Sequence, residues 1–152
     1  IHKFLREGNL LFQELFEAKP HVFISSLNPL AKQDFVTLSD LIPYPYLSFE
    51  QGDYNSFYFS EEILSTISRP KNITVSDRAT LFNLLIGVNG YTISTGVISH
   101  ELNSKDIVSV PLHVDERITV GYITHKNVKN SPLANIYIEY LKETIDKEQI
   151  RL

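Results

Sequence analysis

Residues 73–96, ITVSDRATLFNLLIGVNGYTISTG, confine this chain to an α/β fold, because a strand, a helix start, an amphipathic helix, a stop and a second strand follow one another without a linker. Ile73, Thr74 and Val75 are all β-branched, which suits a pleated strand. Ser76 and Asp77 come next as candidate N-caps, their side-chain oxygens able to accept N–H groups that a first helical turn leaves over. Leu81, Leu84, Leu85 and Val88 recur at i, i+3, i+4 and i+7, and Phe82 and Ile86 widen the stripe. That is the spacing of a helix laid on a sheet. Asn89-Gly90 stops it, since either residue can take a left-handed conformation, and residues 91–94 resume a strand that must run parallel to the first. Open parallel sheets hold ligand sites outside the carboxyl ends of their strands. Ser76 and Asp77 therefore stand where a small molecule would be met.

The rest of the composition narrows the function. With 152 residues and 43% hydrophobic content the chain can bury a core of its own, as one domain or two small lobes. A net charge of -4 argues against this segment itself wrapping nucleic acid or an anionic membrane, both of which need a basic face. There is no cysteine, hence no disulfide framework, thiol nucleophile or thiolate metal site. No apolar run approaches a membrane span and Ile1-His2-Lys3 opens no secretory signal, so a cytoplasmic setting is expected. From the absence of methionine, even at position 1, a piece of a longer protein is expected.

Along the chain, residues 2–7 read as the last turn of a helix stopped by Gly8-Asn9. Residues 10–16 and 21–25 are apolar runs around Glu17-Ala18-Lys19-Pro20 and read as an antiparallel hairpin. Asn28-Pro29-Leu30-Ala31 breaks away, and Thr37-Leu38-Ser39-Asp40 has the form of a capping box with Asp at N3, opening one helical turn before Pro43 and Pro45. Residues 46–49 read as a strand, 50–55 as a loop at its carboxyl end, and 57–68 as a helix. After the central segment a short helix is expected at 97–103, then strands at 107–112 and 118–124, the latter paired in the other half of the molecule. Ser131-Pro132 is an N-cap with proline at N1. It opens a last helix whose apolar face is expected at Leu133, Ile136, Tyr137, Tyr140 and Leu141, with a Glu143–Lys147 pair beside it.

The stretches HVFISSLNPLA, VTLSDLIPYPYLSF, NGYTISTG and ITVGYITHKNVKNSPLANIYIEYLKETI, in this order, resemble the effector-binding domain of LysR-type transcriptional regulators. The resemblance covers nearly the whole chain. It departs at Val88, where the family usually has a second glycine, and near Thr95, where it has a proline. It implies an α/β, two-lobed, periplasmic-binding-protein-like (type 2) effector domain. One lobe would be residues 27–112; the other, incomplete, would be 1–26 with 113–152. It further implies that a small molecule bound between the lobes modulates DNA binding by an N-terminal helix-turn-helix outside this sequence. Association into a homodimer or tetramer is implied too, with a contact on the 57–68 helix.

Other constellations are weaker. The five histidines show no metal-ligand spacing, and no G-x-S-x-G elbow accompanies the serines, so no metal, cofactor or enzyme activity is expected. Gly87-x-x-Gly90 sits at the wrong end of its helix for a phosphate cradle. The polar groups at strand ends carry more. Ser25, then Gln51, Tyr54, Asn55 and Ser56 in the loop, and Ser76 with Asp77 are expected to line one cleft. By the resemblance, the position of Ser25 and the loop before Phe57 are where effectors are commonly contacted. Asp77 would repel a plain acid, so an amino acid or a sulfur metabolite is the expected ligand. The rival readings with the same architecture are a transporter's solute-binding protein and a two-lobed enzyme, the first needing export and the second a converging Ser, His and carboxylate.

Overall fold

The structure is a computed structural model and describes residues 2–50, 69–98 and 105–147. In chain order its elements are α1 (His2–Glu7), β1 (Leu10–Ala18), β2 (His21–Ser25), a 3-10 turn (Pro29–Lys32), α2 (Leu38–Leu41), β3 (Tyr46–Phe49), β4 (Asn72–Val75), α3 (Arg78–Gly87), β5 (Tyr91–Ser94), β6 (Ile107–Pro111), β7 (Ile118–His125) and α4 (Pro132–Lys147). The chain divides into two units, residues 19–118 and residues 1–18 with 119–152. The lobe limits expected from the sequence lie at 26/27 and 112/113; the units part at 18/19 and 118/119.

The unit of residues 19–118 is built on a five-stranded sheet in the order β4-β3-β5-β2-β6. β3 pairs parallel with both β4 and β5. The expected parallel βαβ therefore forms, with β3 inserted between its two strands. β2 runs antiparallel to β5 and to β6, so it alone opposes the direction of the other four. Both faces of this sheet are covered, which is why its strands are apolar at successive positions rather than alternately. On one face Val22, Ile24, Tyr46, Tyr91, Ile93 and Val110 pack with Leu30, Val36 and Leu41 from the connecting turns. On the other Phe23, Leu47, Val75 and Ile107 receive Leu81 and Leu85 of α3. Burial of each of those leucines contributes about 1.5–3 kcal/mol.

Local signals explain the element ends. Thr37 and Asp40 form the reciprocal capping box at α2. Asp77, rather than Ser76, caps α3, accepting the Thr80 N–H at 2.8 Å. The far end of α3 closes through Asn89 at φ 50°. Of its expected apolar stripe, Leu81 and Leu85 are buried and Phe82 and Leu84 pack beside them, whereas Ile86 and Val88 are exposed.

The unit of residues 1–18 and 119–152 pairs β1 with β7. This corrects the expected hairpin of 10–16 with 21–25: β1 and β2 are neighbours in sequence but lie in different sheets. Gly121 admits the pairing, because a Cβ there would meet the Gln13 carbonyl oxygen at 2.3 Å and the Phe12 ring at 2.5 Å. Ser131 accepts the Ala134 N–H at the start of α4, as its sequence indicates. The half-buried face of α4 is Ala134, Ile138, Leu141 and Ile145. Of the face expected from the sequence only Leu141 belongs to it, and Leu133 and Tyr140 are 74% and 69% exposed. α4 carries two stripes at helical spacing, and tertiary packing selects between them. The ion pair described on it is Lys142–Glu139 at 3.0 Å; the expected Glu143–Lys147 pair involves a side chain outside the described residues. The 57–68 helix also lies outside them, as does most of the expected 97–103 helix, whose first two residues, Val97 and Ile98, are not helical.

Candidate functional site

The directions of the strands decide which polar groups can meet. β3, β4 and β5 end together at Phe49, Val75 and Ser94, and β6 ends beside them because Pro111 pairs with His21. At that edge stand Glu50, Ser76, Asp77, Arg78, Thr95 and Gly96. Gly96 has φ 87°, and a Cβ on it would meet the His21 ring at 2.6 Å. The start of β2 thus packs closely on the loop that follows β5.

Ser25 does not join this edge. β2 opposes β5 with Ile24 beside Tyr91 and His21 beside Ser94, which puts Ser25 four residue steps, about 13 Å, from the level of Ser94. It is buried at the other end of the sheet, where its hydroxyl accepts the Leu27 N–H at 3.2 Å. Ser76 and Asp77 are both exposed at the carboxyl edge. Gln51, Tyr54, Asn55 and Ser56 lie outside the described residues.

Within the unit of residues 19–118 a cavity of about 140 Å³ opens between the first turns of α3 and the ends of β3 and β5. Phe23, Phe49, Leu81 and Phe82 make its apolar wall, and Thr92, Ser94 and Thr95 its hydroxyl-bearing one. Phe23 and Phe82 stack with centroids 6.3 Å apart. Arg78 lines the same cavity, its guanidinium carbon 5.8 Å from the Phe49 ring centre, within cation–π range. Among the described residues it pairs with no carboxylate.

Asp77 is turned to another task. Thr80 donates to it twice, from its hydroxyl at 2.7 Å and its backbone N–H at 2.8 Å. Those bonds, the hydroxyl first, hold the Asp77 carboxyl below the usual carboxylate range, so it is a carboxylate at neutral pH that satisfies its own helix. Among the described residues no group of three or more His, Asp or Glu side chains is arranged to hold a metal ion. No helix among them is long and apolar enough to cross a membrane.

Sequence reasoning missed Arg78, Phe49, Phe82, Ser94 and Thr95. A signal for Arg78 was present: a cation in the first turn of a helix stands against the helix dipole, so it calls for a reason beyond helix stability. Thr95 would have followed from applying the strand-end rule to β5 as well as to β4.

An α/β chain that leaves and re-enters one unit to complete the other, with parallel strand ends gathered at a cavity, has the architecture of the periplasmic-binding-protein-like (type 2) effector domains. A sequence profile of the LysR substrate binding domain matches residues 2–146. The chain belongs to the LysR family, in its substrate-binding domain. Three similar solved structures share the fold. The effector binding domain of BenM with its effector benzoate is 18% identical, with a TM-score of 0.69 over 93% of this chain and 66% of that one. The effector binding domain of QuiR in complex with shikimate is also 18% identical, with a TM-score of 0.61 over 93% of this chain and 68% of that one. HinK, a LysR family transcriptional regulator from Pseudomonas aeruginosa, is 16% identical, with a TM-score of 0.63 over 91% of this chain and 48% of that one. The chain therefore spans about half the length of that regulator. No curated protein sequence matches it.

Proposed function

We propose that this chain is the small-molecule-sensing part of a LysR-type transcriptional regulator, and that its effector binds at the carboxyl edge of β3, β4 and β5. The observation that carries this reading is the gathering of Arg78, Thr92, Ser94 and Thr95 around a cavity at that edge, with Ser76 exposed at the same edge, in a chain that belongs to the family. The net charge of -4 supports assigning DNA contact to a helix-turn-helix beyond this sequence. The protein works in the cytoplasm as a homodimer or tetramer. The units 19–118 and 1–18 with 119–152 act as the two lobes, and the loop residues Gln51, Tyr54, Asn55 and Ser56 contribute to the site from the chain that follows β3. The reading is of a binding module: the Ser25 hydroxyl accepts a backbone N–H and the His21 Nδ1 bonds the Lys19 carbonyl oxygen.

Benzoate and shikimate, the ligands of BenM and QuiR, are one-ring carboxylates. They join amino acids and sulfur metabolites as the compounds to test. Thermal unfolding of the chain with each compound checks the reading. A ligand present at 100 times its Kd stabilises by about 2.7 kcal/mol, expected to raise the Tm by about 5–11 °C. Ser76→Ala should weaken the binder by about 1 kcal/mol. A panel in which no compound moves the Tm would end the sensing reading.

A further inference from the structure

The geometry points to a one-ring organic anion as the effector, anchored by Arg78, rather than to an amino acid or an amine; the inference rests on the sensing reading above. Three observations carry it. Arg78 is the one charged side chain on the cavity's described lining. Asp77, whose charge would have favoured an ammonium group, is absent from that lining and is engaged by Thr80. Much of the remaining lining is aromatic, with Phe49 under the guanidinium and Phe82 stacked on Phe23.

The cavity has room for one ring. A dry protein cavity of about 150 Å³ lined by apolar side chains takes a single benzene ring, and this one is about 140 Å³. One ring therefore fits against Phe49, Leu81 and Phe82, while its carboxylate meets the guanidinium fork. Ser94 and Thr95 supply hydroxyls at the rim for a second polar group on the ring. Among the described residues an uncharged ring would give Arg78 no counter-charge, and an ammonium group would face it directly. A guanidinium–carboxylate contact is roughly twice as strong as a neutral hydrogen bond and can be bidentate.

Calorimetric titration of the chain with benzoate, benzamide and benzylamine holds the ring constant and varies only the charge. Arg78 is exposed, so solvent screens the pair; benzoate is expected to bind about twofold to fivefold more tightly than benzamide, and benzylamine to bind no better than benzamide. Arg78→Gln should erase the benzoate preference and Arg78→Lys should keep part of it, with Tm values near the parent's showing that both variants fold. The inference is overturned if benzamide or benzylamine matches benzoate, or if Arg78→Gln keeps the preference. It is overturned as well if no ring compound binds while an amino acid from the wider panel does, an outcome that leaves the sensing reading standing. If nothing in the wider panel binds, both fall.

Discussion

Asn28 ties the turn after β2 to the far end of α3, and its replacement should be costly in a way that separates its two bonds. The side chain is 2% exposed. Its Oδ1 accepts the buried Leu30 N–H at 2.9 Å, and its Nδ2 donates to the Asn89 Oδ1 at 2.8 Å. Asn28→Ala orphans the Leu30 N–H, at about 1–3 kcal/mol, and breaks a side-chain bond worth about 0.5–1.5 kcal/mol. Asn89 is exposed, so its amide can turn to water and adds little to the loss. The sum is about 3 kcal/mol at its centre, expected as a Tm lowered by about 6–12 °C in a chain of this size. Asn28→Asp keeps an acceptor for Leu30, and Asn89 can rotate its amide to present the donor. Ionised, the new carboxylate is a charge in a buried place and costs stability; protonated, it keeps one acceptor and one donor and should stay within about 1 kcal/mol of the parent, so the loss should shrink as pH falls. Far-UV circular dichroism through thermal unfolding reads both. An alanine variant as stable as the parent, or an aspartate variant whose loss relative to the parent does not shrink as pH falls, would refute the assignment of these bonds.

Leu85 is fully buried between α3 and the sheet, so Leu85→Ala should cost about 2–5 kcal/mol by urea unfolding, and a loss under about 1 kcal/mol would mean the packing is loose. Gly96→Ala should destabilise by about 1–2 kcal/mol from its positive φ alone, and further because His21 must move aside; a neutral result would remove the close packing of β2 on the loop after β5. Burial pushes the Tyr91 phenol up, with Arg69 opposing the shift. A raised folded-state value means that Tyr91 contributes stability fully below the ordinary tyrosine value of about 10 and loses it as pH rises through the folded-state value. Parent and Tyr91→Phe should therefore converge in stability above about pH 10, and a gap that widens there would have the wrong sign.

Much of the larger unit was legible because its signals are local. The capping box at Thr37 and Asp40, the strand at Tyr46–Phe49, the Asp77 cap and the Asn89 stop each depend on residues within a few positions of one another. Strand pairing is not of that kind. The runs that became β1 and β2 look like a hairpin because four residues part them, yet β1 finds its partner in β7, about a hundred residues on. The same blindness misplaced Ser25. A strand-end rule needs the strand's direction in the sheet, and β2 is the strand that opposes the others. On α4 the helical periodicity fits two stripes, and only packing tells the half-buried Ile138 from the exposed Ile136.

The most direct test of the account is an amide NMR titration of the chain with whichever compound of the thermal panel raises the Tm most. The effector site at the carboxyl edge of β3, β4 and β5 should place the largest shift changes at Asp77, Arg78, Thr95 and Gly96, with Ser25, Asn28 and Leu30 nearly still. Largest changes at Ser25 to Leu30, with the Asp77–Arg78 and Thr95–Gly96 amides unmoved, would contradict it.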